Sequence, residues 1–396
     1  MPELSLPLNG ITVLALEQAV AGPLCTRHLG DLGARVIKIE RPGSGDFARS
    51  YDTTVHGLSS YFVWLNRGKQ SVTLDLKHSD AQPILRQLVA MSDVVVQNLA
   101  PGAVDRLGVG PGSVLAEHPQ LIYCSISGYG AGGPYERRKA FDLLLQGETG
   151  VIATTGSGDD MAKLGISVGD IGAGVYGAMA TLAALYERER TGYGQHVESS
   201  LFDALAEWMG HPLYYTMYGG TSPSRAGVRH ATVVPYGAYR CRGGEQVLLA
   251  VQTETQWRGF CQDVCGHPEW IDDPRFNSVS NRRVNRVALE TYVEDALAAF
   301  SRAEVTARLE VADIPYGDLN TVDQFSEHPQ LMARDRWQEI STPDGPMTAL
   351  RPPFGFKGTE LPMGDVPAVG QHTAAVLGEL GYGPDDIDRL RSLNAI

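Results

Sequence analysis

The sequence is poor in cysteine and has no long uninterrupted apolar stretch. Its five cysteines, Cys25, Cys124, Cys241, Cys261 and Cys265, are an odd number scattered over 396 residues. That pattern excludes a disulfide framework of the kind that staples small secreted domains, and it suits a reducing, cytoplasmic setting. Only Cys261, Cys265 and His267 cluster. A single CxxxCxH without a second ligand pair reads as buried thiols, so no metal is expected. No run reads as the roughly 20 apolar residues that span a bilayer, and no membrane role is expected. The first ten residues, MPELSLPLNG, lack a basic stretch and an apolar core, so they are not read as an export signal. Positive charge is also short: 33 Lys and Arg against 46 Asp and Glu leave a net charge of −13. That balance disfavours a general nucleic-acid binder, and any anionic ligand would need locally gathered cations.

The common nucleotide and hydrolase signatures are missing too. The first strand–helix turn is EQAVAGPLC, with no GxGxxG loop to admit a pyrophosphate against the helix. A GxGxGG does occur at 128–133, but Pro134 and charged residues follow it where an apolar helix is required. Neither a nicotinamide nor a flavin cofactor is therefore expected. There is no GxxxxGK[ST] phosphate loop, no GxSxG elbow, and no HExxH among the ten histidines.

What is present is an alternation of short apolar runs and helical periods. Strands are expected at Ile11–Leu16, Ala34–Glu40, Ser71–Leu74, Val94–Gln97 and Leu121–Ser125. Helices are expected after Gly22-Pro23 and at Ala81–Met91, Pro101–Leu107, Gly110–His118 and Asp142–Ile152, with a long small-residue helix at about 172–190. This is the βαβ rhythm of an α/β fold with a doubly wound parallel sheet. From about residue 219 the texture changes. AYRCRGGEQVLLAV reads as a hairpin turning at Gly243-Gly244, and helical periods follow. A smaller α+β domain is expected at 225–325. The tail from about 330 returns to short strands and closes on a helix at Thr373–Leu380.

Two groups of residues carry candidate chemistry. Lys38, Arg41, Arg67, Lys69, Lys77, Arg106 and the run Arg137, Arg138, Lys139 lie near strand ends or in the glycine-rich loop after Ser127. In a doubly wound sheet, ligands bind beyond the carboxyl ends of the strands, so converging cations there suit a polyphosphate. The second group is GISVGDIGAGVYG, in which glycines 165, 169, 172 and 174 surround Asp170. Asp170 reads either as the N-cap of the long helix or as a nucleophile beside N–H donors, such as those near Gly169, for a developing oxyanion. On the nucleophile reading an ordinary carboxylate is already ionised at neutral pH and needs no general base.

The segments LNGITVLALEQAVAGPLCTRHLGDLGARVIKIERPGSGD, LNRGKQSVTLDLK, NLAPGAVDRLG, SGYGAGGPY, GDIGAGVYGAMATLAAL and RTGYGQHVESSLFDA stand in the order found in one family. Through them the chain resembles the family III CoA-transferases, the CaiB–BaiF family, over essentially its whole length. The resemblance implies an interlocked homodimer. Each chain would have a large Rossmann-like domain, here 1–220 plus 330–396, and a smaller inserted domain. It implies that Asp170 is the nucleophile, and that Arg41, Lys77, Asn98, Arg106, Lys139 and Phe141 hold coenzyme A. Val20 stands where the formyl-CoA branch has a glutamine, which argues against formate or oxalate. Phe141 stands where racemases of this fold carry a histidine, which argues against α-proton exchange. The implied reaction moves CoA from an acyl-CoA donor to a carboxylic acid acceptor through an aspartyl anhydride and an aspartyl thioester. Arg225, Arg229 and His230 precede the second domain, and an arginine fork there suits the distal carboxylate of a dicarboxylic acid. The expected pair is succinyl-CoA with a C4–C5 dicarboxylate such as itaconate, mesaconate, citramalate or malate.

Overall fold

β-branched and aliphatic runs set the architecture. In a computed structural model, which describes residues 6–396, these runs form one six-stranded sheet. The expectation about residues 1–10 thus lies partly outside the described residues. The strands are β1 (Thr12–Leu16), β2 (Arg35–Glu40), β3 (Lys69–Thr73), β4 (Val94–Gln97), β5 (Ile122–Ser127) and β6 (His196–Ser200). Their order is β3-β2-β1-β4-β5-β6 and every pairing is parallel. Val13, Leu14, Val95 and Val96 are wholly buried, as strands covered on both faces require. The order reverses beside β1, so the chain leaves β1 and β4 in opposite directions and opens a crevice at their carboxyl ends.

The helices that matter for the site are α1 (Ala21–Asp31), α2 (Ala81–Ala90), α3 (Asp142–Glu148), α4 (Val168–Thr191) and α5 (Leu201–Trp208). Ile84, Leu85 and Leu88 of α2 join Leu14, Ile37 and Val72 of the sheet in one core. α4 has 24 residues and is long and apolar enough, by length and composition, to cross a bilayer. The sequence reading missed this because Asp170 and several glycines interrupt the run. Of the qualifying stretch, 56% is buried inside the protein, packed on α1, α5 and β5, so α4 is a core helix. Its approach to α1 is close: a Cβ at Gly174 would lie 2.7 Å from the Ala21 carbonyl oxygen.

The chain divides into two compact units. One comprises Met1–Gly150, Leu164–Gly210 and Met332–Ile396; the other comprises Val151–Lys163 and His211–Leu331. The second unit therefore takes in Val151–Lys163, which the sequence reading left in the large domain. It has its own core around Tyr239, Trp257, Phe260, Leu289 and Leu309. Its sheet is antiparallel, with β7 (Tyr236–Arg240) and β8 (Gln246–Ala250) flanked by the short β9 (Tyr316–Gly317). The β7–β8 turn uses Gly243 and Gly244, both at positive φ. In the first unit the tail forms a hairpin, β10 (Trp337–Thr342) and β11 (Gly345–Leu350), then helices Thr373–Glu379 and Pro384–Ser392. The last helix was not expected. It is mostly charged and buries only Ile387 and Leu390, so it carries little apolar period.

The α1–α4 approach gives a direct test. Gly174→Ala should lower stability by about 1–3 kcal/mol, because a backbone carbonyl cannot move aside for the added methyl. Gly378→Ala, in an open position of the helix Thr373–Glu379, should be neutral or stabilising. Urea denaturation of the two variants measures both, and equal stabilities would refute the tight contact.

Candidate active site

Asp170 occupies the third helical position of α4, whose N-cap is Ser167. The N-cap reading of Asp170 is thereby corrected. The helix start is instead held by Asp142, the first residue of α3, whose Oδ1 accepts the Gly169 N–H at 2.7 Å. Its Oδ2 accepts from Gln146 Nε2 at 2.6 Å, and Gln146 Oε1 accepts the Leu164 N–H at 2.9 Å. The Gly169 N–H is therefore already engaged and is not available to an oxyanion. Burial pushes the Asp170 carboxyl up to about 7, and the neighbouring Asp142 carboxylate adds to the rise. The positive end of a helix favours an anion by only about 0.3–1 kcal/mol. A rise from 3.8 to about 7 corresponds to roughly 4 kcal/mol between the two protonation states, so desolvation wins. The expectation of an ordinary carboxylate, fully ionised at neutral pH, is corrected accordingly.

Facing the start of α4 is the β1–α1 loop. Val20, the N-cap of α1, packs with Leu24 and Leu65 in a cluster that Ala19 and Ile171 join, which sets it beside the residue after Asp170. Ala19 sits at φ 61, a left-handed conformation that an alanine adopts at a cost of about 1–2 kcal/mol. Two side chains hold it there. Asp46 Oδ1 accepts the Ala19 N–H at 3.2 Å. Asn98 grips Gln18 from both sides, accepting its N–H at 2.9 Å and donating to its carbonyl at 2.8 Å.

Beneath this loop lies a buried charge network. Lys38 Nζ donates to Asp46 Oδ2 at 2.9 Å and to Glu17 Oε1 at 3.3 Å. Lys69 Nζ donates to the same Glu17 oxygen at 2.7 Å and to the Pro23 carbonyl at 2.9 Å. Thr26 Oγ1 donates to the other Glu17 oxygen. Burial lowers Lys69 to about 8 despite the Glu17 charge beside it. Arg67 makes a separate buried pair with Asp31. Three of the cations assigned to a ligand from sequence, Lys38, Arg67 and Lys69, are thus spent inside the fold.

Three others stay open. Arg41, Lys77 and Arg106 line a cleft of about 1230 Å³ formed by the segments after β1, β2, β3 and β4. None of the three has a carboxylate partner among the described residues. The cleft floor is apolar, with Leu16, Ile39 and Leu74. Lys139 and Phe141 are exposed on and after the glycine-rich loop and do not line this cleft. Asn98 does not line it either, because its amide is committed to Gln18.

Tyr51 is a residue that sequence reasoning passed over. Its side chain is partly exposed, yet desolvation and the charges of Asp46 and Asp170 push its hydroxyl up to about 12, so it stays protonated. Phe47 and Tyr61 stack edge-on against it, at 5.7 and 5.4 Å between ring centres. No motif flags it; it lies in the segment after β2 that also carries Asp46.

Arg225, Arg229 and His230, proposed to read the distal carboxylate of the acid, lie in the second unit, and each is already occupied. Arg225 donates to the carbonyls of Gly158 at 2.8 Å and Ala153 at 3.0 Å. Arg229 is paired with Glu290 at 2.6 Å and with Glu294, and lies over the Tyr239 ring. His230 Nδ1 accepts N–H bonds from Thr232 and Val233, and its ring stacks on Tyr236. The arginine fork is therefore corrected: these side chains brace loops, and the charge of Arg229 is already answered by Glu290 and Glu294. Cys261 and Cys265 are buried in the apolar core of the same unit, while His267 bonds Glu269 and stacks on Trp270.

Comparison with known proteins places this geometry. The family model of CoA-transferase family III matches residues 8–373. The chain is 35% identical over 331 residues to an acetyl-CoA:oxalate CoA-transferase of Acetobacter aceti, covering 83% of this chain and 85% of that protein. It is 31% identical over 390 residues to a succinate–glutarate CoA-transferase of Agrobacterium fabrum, covering 96% and 97%. Among solved structures, a CaiB/BaiF family protein from Brucella suis is similar with a TM-score of 0.82 and 35% identity, over 95% of this chain and 100% of that one.

The carboxyl pair supplies its own test. The Asp170 carboxyl carbon, followed by NMR in aspartate-labelled protein, should titrate with a midpoint near 7. Asp142→Asn removes the like charge, so the midpoint should fall while remaining above that of an exposed aspartate, because burial persists. A wild-type midpoint near 4 would overturn the account.

Proposed function

The chain belongs to CoA-transferase family III, and we propose that it moves CoA from succinyl-CoA to a C4–C5 dicarboxylate with Asp170 as the covalent carrier. Its co-substrates are CoA thioesters, as in the family. The observation that carries the reading is the desolvated Asp170 carboxyl at the start of α4, which meets the β1–α1 loop; the open cations of the cleft after β1 to β4 suit CoA phosphates.

The proposed cycle balances without any added reagent. The ionised Asp170 oxygen attacks the thioester carbonyl, the C–S bond breaks, and CoA leaves as a thiolate. The thiolate attacks the aspartyl carbonyl of the resulting anhydride, expelling the donor carboxylate and leaving an aspartyl-CoA thioester. The acceptor carboxylate then attacks that carbonyl and releases the thiolate. Finally the thiolate takes the new acyl group and frees Asp170. Only the ionised form starts the cycle, so the first half-reaction should rise with pH through about 7 and then level off. Burial around Asp170 supports the anhydride step, because anhydrides are destroyed by water. With the Gly169 N–H engaged, the protonated Tyr51 hydroxyl is the donor we assign to the developing oxyanion; one such donor is typically worth about 3–4 kcal/mol.

Arg41, Lys77 and Arg106 are the residues we assign to the CoA phosphates. The names of the two relatives, one for oxalate and one for glutarate, support a dicarboxylate as acceptor. Itaconate, mesaconate, citramalate and malate are the acids of that size that we propose for trial. We also propose a cytoplasmic, interlocked homodimer with a Rossmann-like large domain. The helix Gly210–Gly219 supports a partner copy, since it buries no residue and exposes Leu213, Tyr214, Met217 and Tyr218.

Two measurements test the reading. Asp170→Ala should abolish transfer while CoA still binds, and hydroxylamine added with succinyl-CoA should leave a hydroxamate on the peptide containing Asp170. Full activity in the variant, label on another acid, or solvent deuterium at the α-carbon of succinyl-CoA without an acceptor would each defeat it. Arg106→Ala should weaken CoA binding, with the remaining affinity falling further as salt is raised. Unchanged affinity in Arg41→Ala, Lys77→Ala and Arg106→Ala would remove the phosphate assignment.

A further inference from the structure

One wall of the cleft comes from an unexpected source. Asn394 and Ile396 line it, although they follow the last helix and no strand end delivers them. The segment is firmly anchored. The Asp75 N–H, just beyond β3, donates to the Ala395 carbonyl at 2.8 Å, and the Ala395 N–H donates to Leu390 O at 3.0 Å. Ala395 is wholly buried, and Ile396 packs into the core shared by β1, β2 and β3. Asn394 bridges these anchors at φ 55, with its N–H on Arg391 O. Its side chain is exposed toward the cleft, and its amide has no hydrogen-bond partner among the described residues.

The cleft therefore offers three chemistries side by side. Arg41, Lys77 and Arg106 are cationic; Leu76, Leu107 and Ile396 are apolar; Asn394 carries a free donor and a free acceptor. A phosphate-bearing chain alone would use only the first. A purine uses the other two, because its faces are apolar and its edge must be hydrogen-bonded. An asparagine amide matches adenine in particular: it accepts from the N6 amino group while donating to N7. We propose that Asn394 reads the adenine edge of CoA while Ile396 packs against the base, making Asn394 a specificity-determining residue for the adenosine end of the co-substrate. The proposal rests on the reading of this cleft as the CoA site.

The experiment compares three thioesters: succinyl-CoA, succinyl-etheno-CoA, whose N1 and N6 are blocked, and succinyl-pantetheine, which lacks the nucleotide. Each is assayed with wild type, Asn394→Gly and Arg106→Ala. Glycine accepts φ 55 without strain, so the backbone of the segment is kept. Asn394→Gly should raise KM for succinyl-CoA by about 5- to 100-fold, the range of one bidentate base contact, with kcat unchanged. KM for succinyl-pantetheine should not move, and the wild-type preference for CoA over etheno-CoA should vanish in the variant. Equal KM changes for CoA and pantetheine thioesters would make Asn394 merely structural. A rise for CoA with Arg106→Ala but none with Asn394→Gly would overturn this proposal alone. If wild type treats CoA and pantetheine thioesters alike and Arg106→Ala changes neither, the CoA-site reading itself falls.

Discussion

The site depends on one buried electrostatic contact, Glu17 held between Lys38 and Lys69. Glu17 follows β1, Lys38 lies within β2 and Lys69 opens β3, and all three side chains are almost completely removed from water. Left alone, any one of them would be costly to bury, and removing a partner from such a pair typically destabilises by about 3–5 kcal/mol. Glu17 answers one of the two lysine charges, and its shared oxygen ties the three strands to one another. Asp46 extends the arrangement outward. It takes the remaining charge of Lys38 on one oxygen and holds the strained Ala19 on the other. A network deep in the sheet thereby determines the path of the loop that presents Val20 to the start of α4.

The start of α4 shows a second opposition of forces. The helix end favours an anion at Asp170, yet burial and the Asp142 carboxylate oppose it more strongly. Asp142 also does something else: it satisfies the Gly169 N–H and fixes the first turn of the helix. One carboxylate organises the backbone, and the same charge keeps its neighbour poised between protonated and ionised forms near neutral pH. In the proposed cycle, where Asp170 is nucleophile and later leaving group, a pKa near the working pH is useful in both directions. The small-residue face of α4 serves the same end, since its contact with α1 at Gly174 brings the two helix starts together.

Much of the fold was legible in the sequence. The runs at 11–16, 94–97 and 121–125 announce buried parallel strands, because their apolar residues have no polar alternation, and the run at 34–40 is legible from its β-branched Val36, Ile37 and Ile39. The β7–β8 hairpin was legible from Gly243-Gly244, and Asp170 from its glycine surroundings. The helix Pro384–Ser392 was not, because two buried residues among many charged ones make no visible period. The long helix α4 was legible as well, at about 172–190; only its first turn, from Val168, lay outside that range.

The sequence by itself determined the α/β class, the family and the candidate nucleophile, since these rest on local pattern and on motifs in fixed order. Only the tertiary structure decided the use of each charge. Lys38, Lys69 and Arg67 look no different in sequence from Arg41, Lys77 and Arg106, yet the first three are buried against carboxylates and the second three face the cleft. Arg225 and Arg229 looked free and are braced against carbonyls and glutamates. Asn394 carried no signal at all, and its place in the cleft follows from the Ala395 carbonyl bonding Asp75 across the fold. The physical reason is the same throughout. A side chain's chemistry is written in its residue type, but its charge state and its availability depend on which partners and how much water the distant chain brings to it.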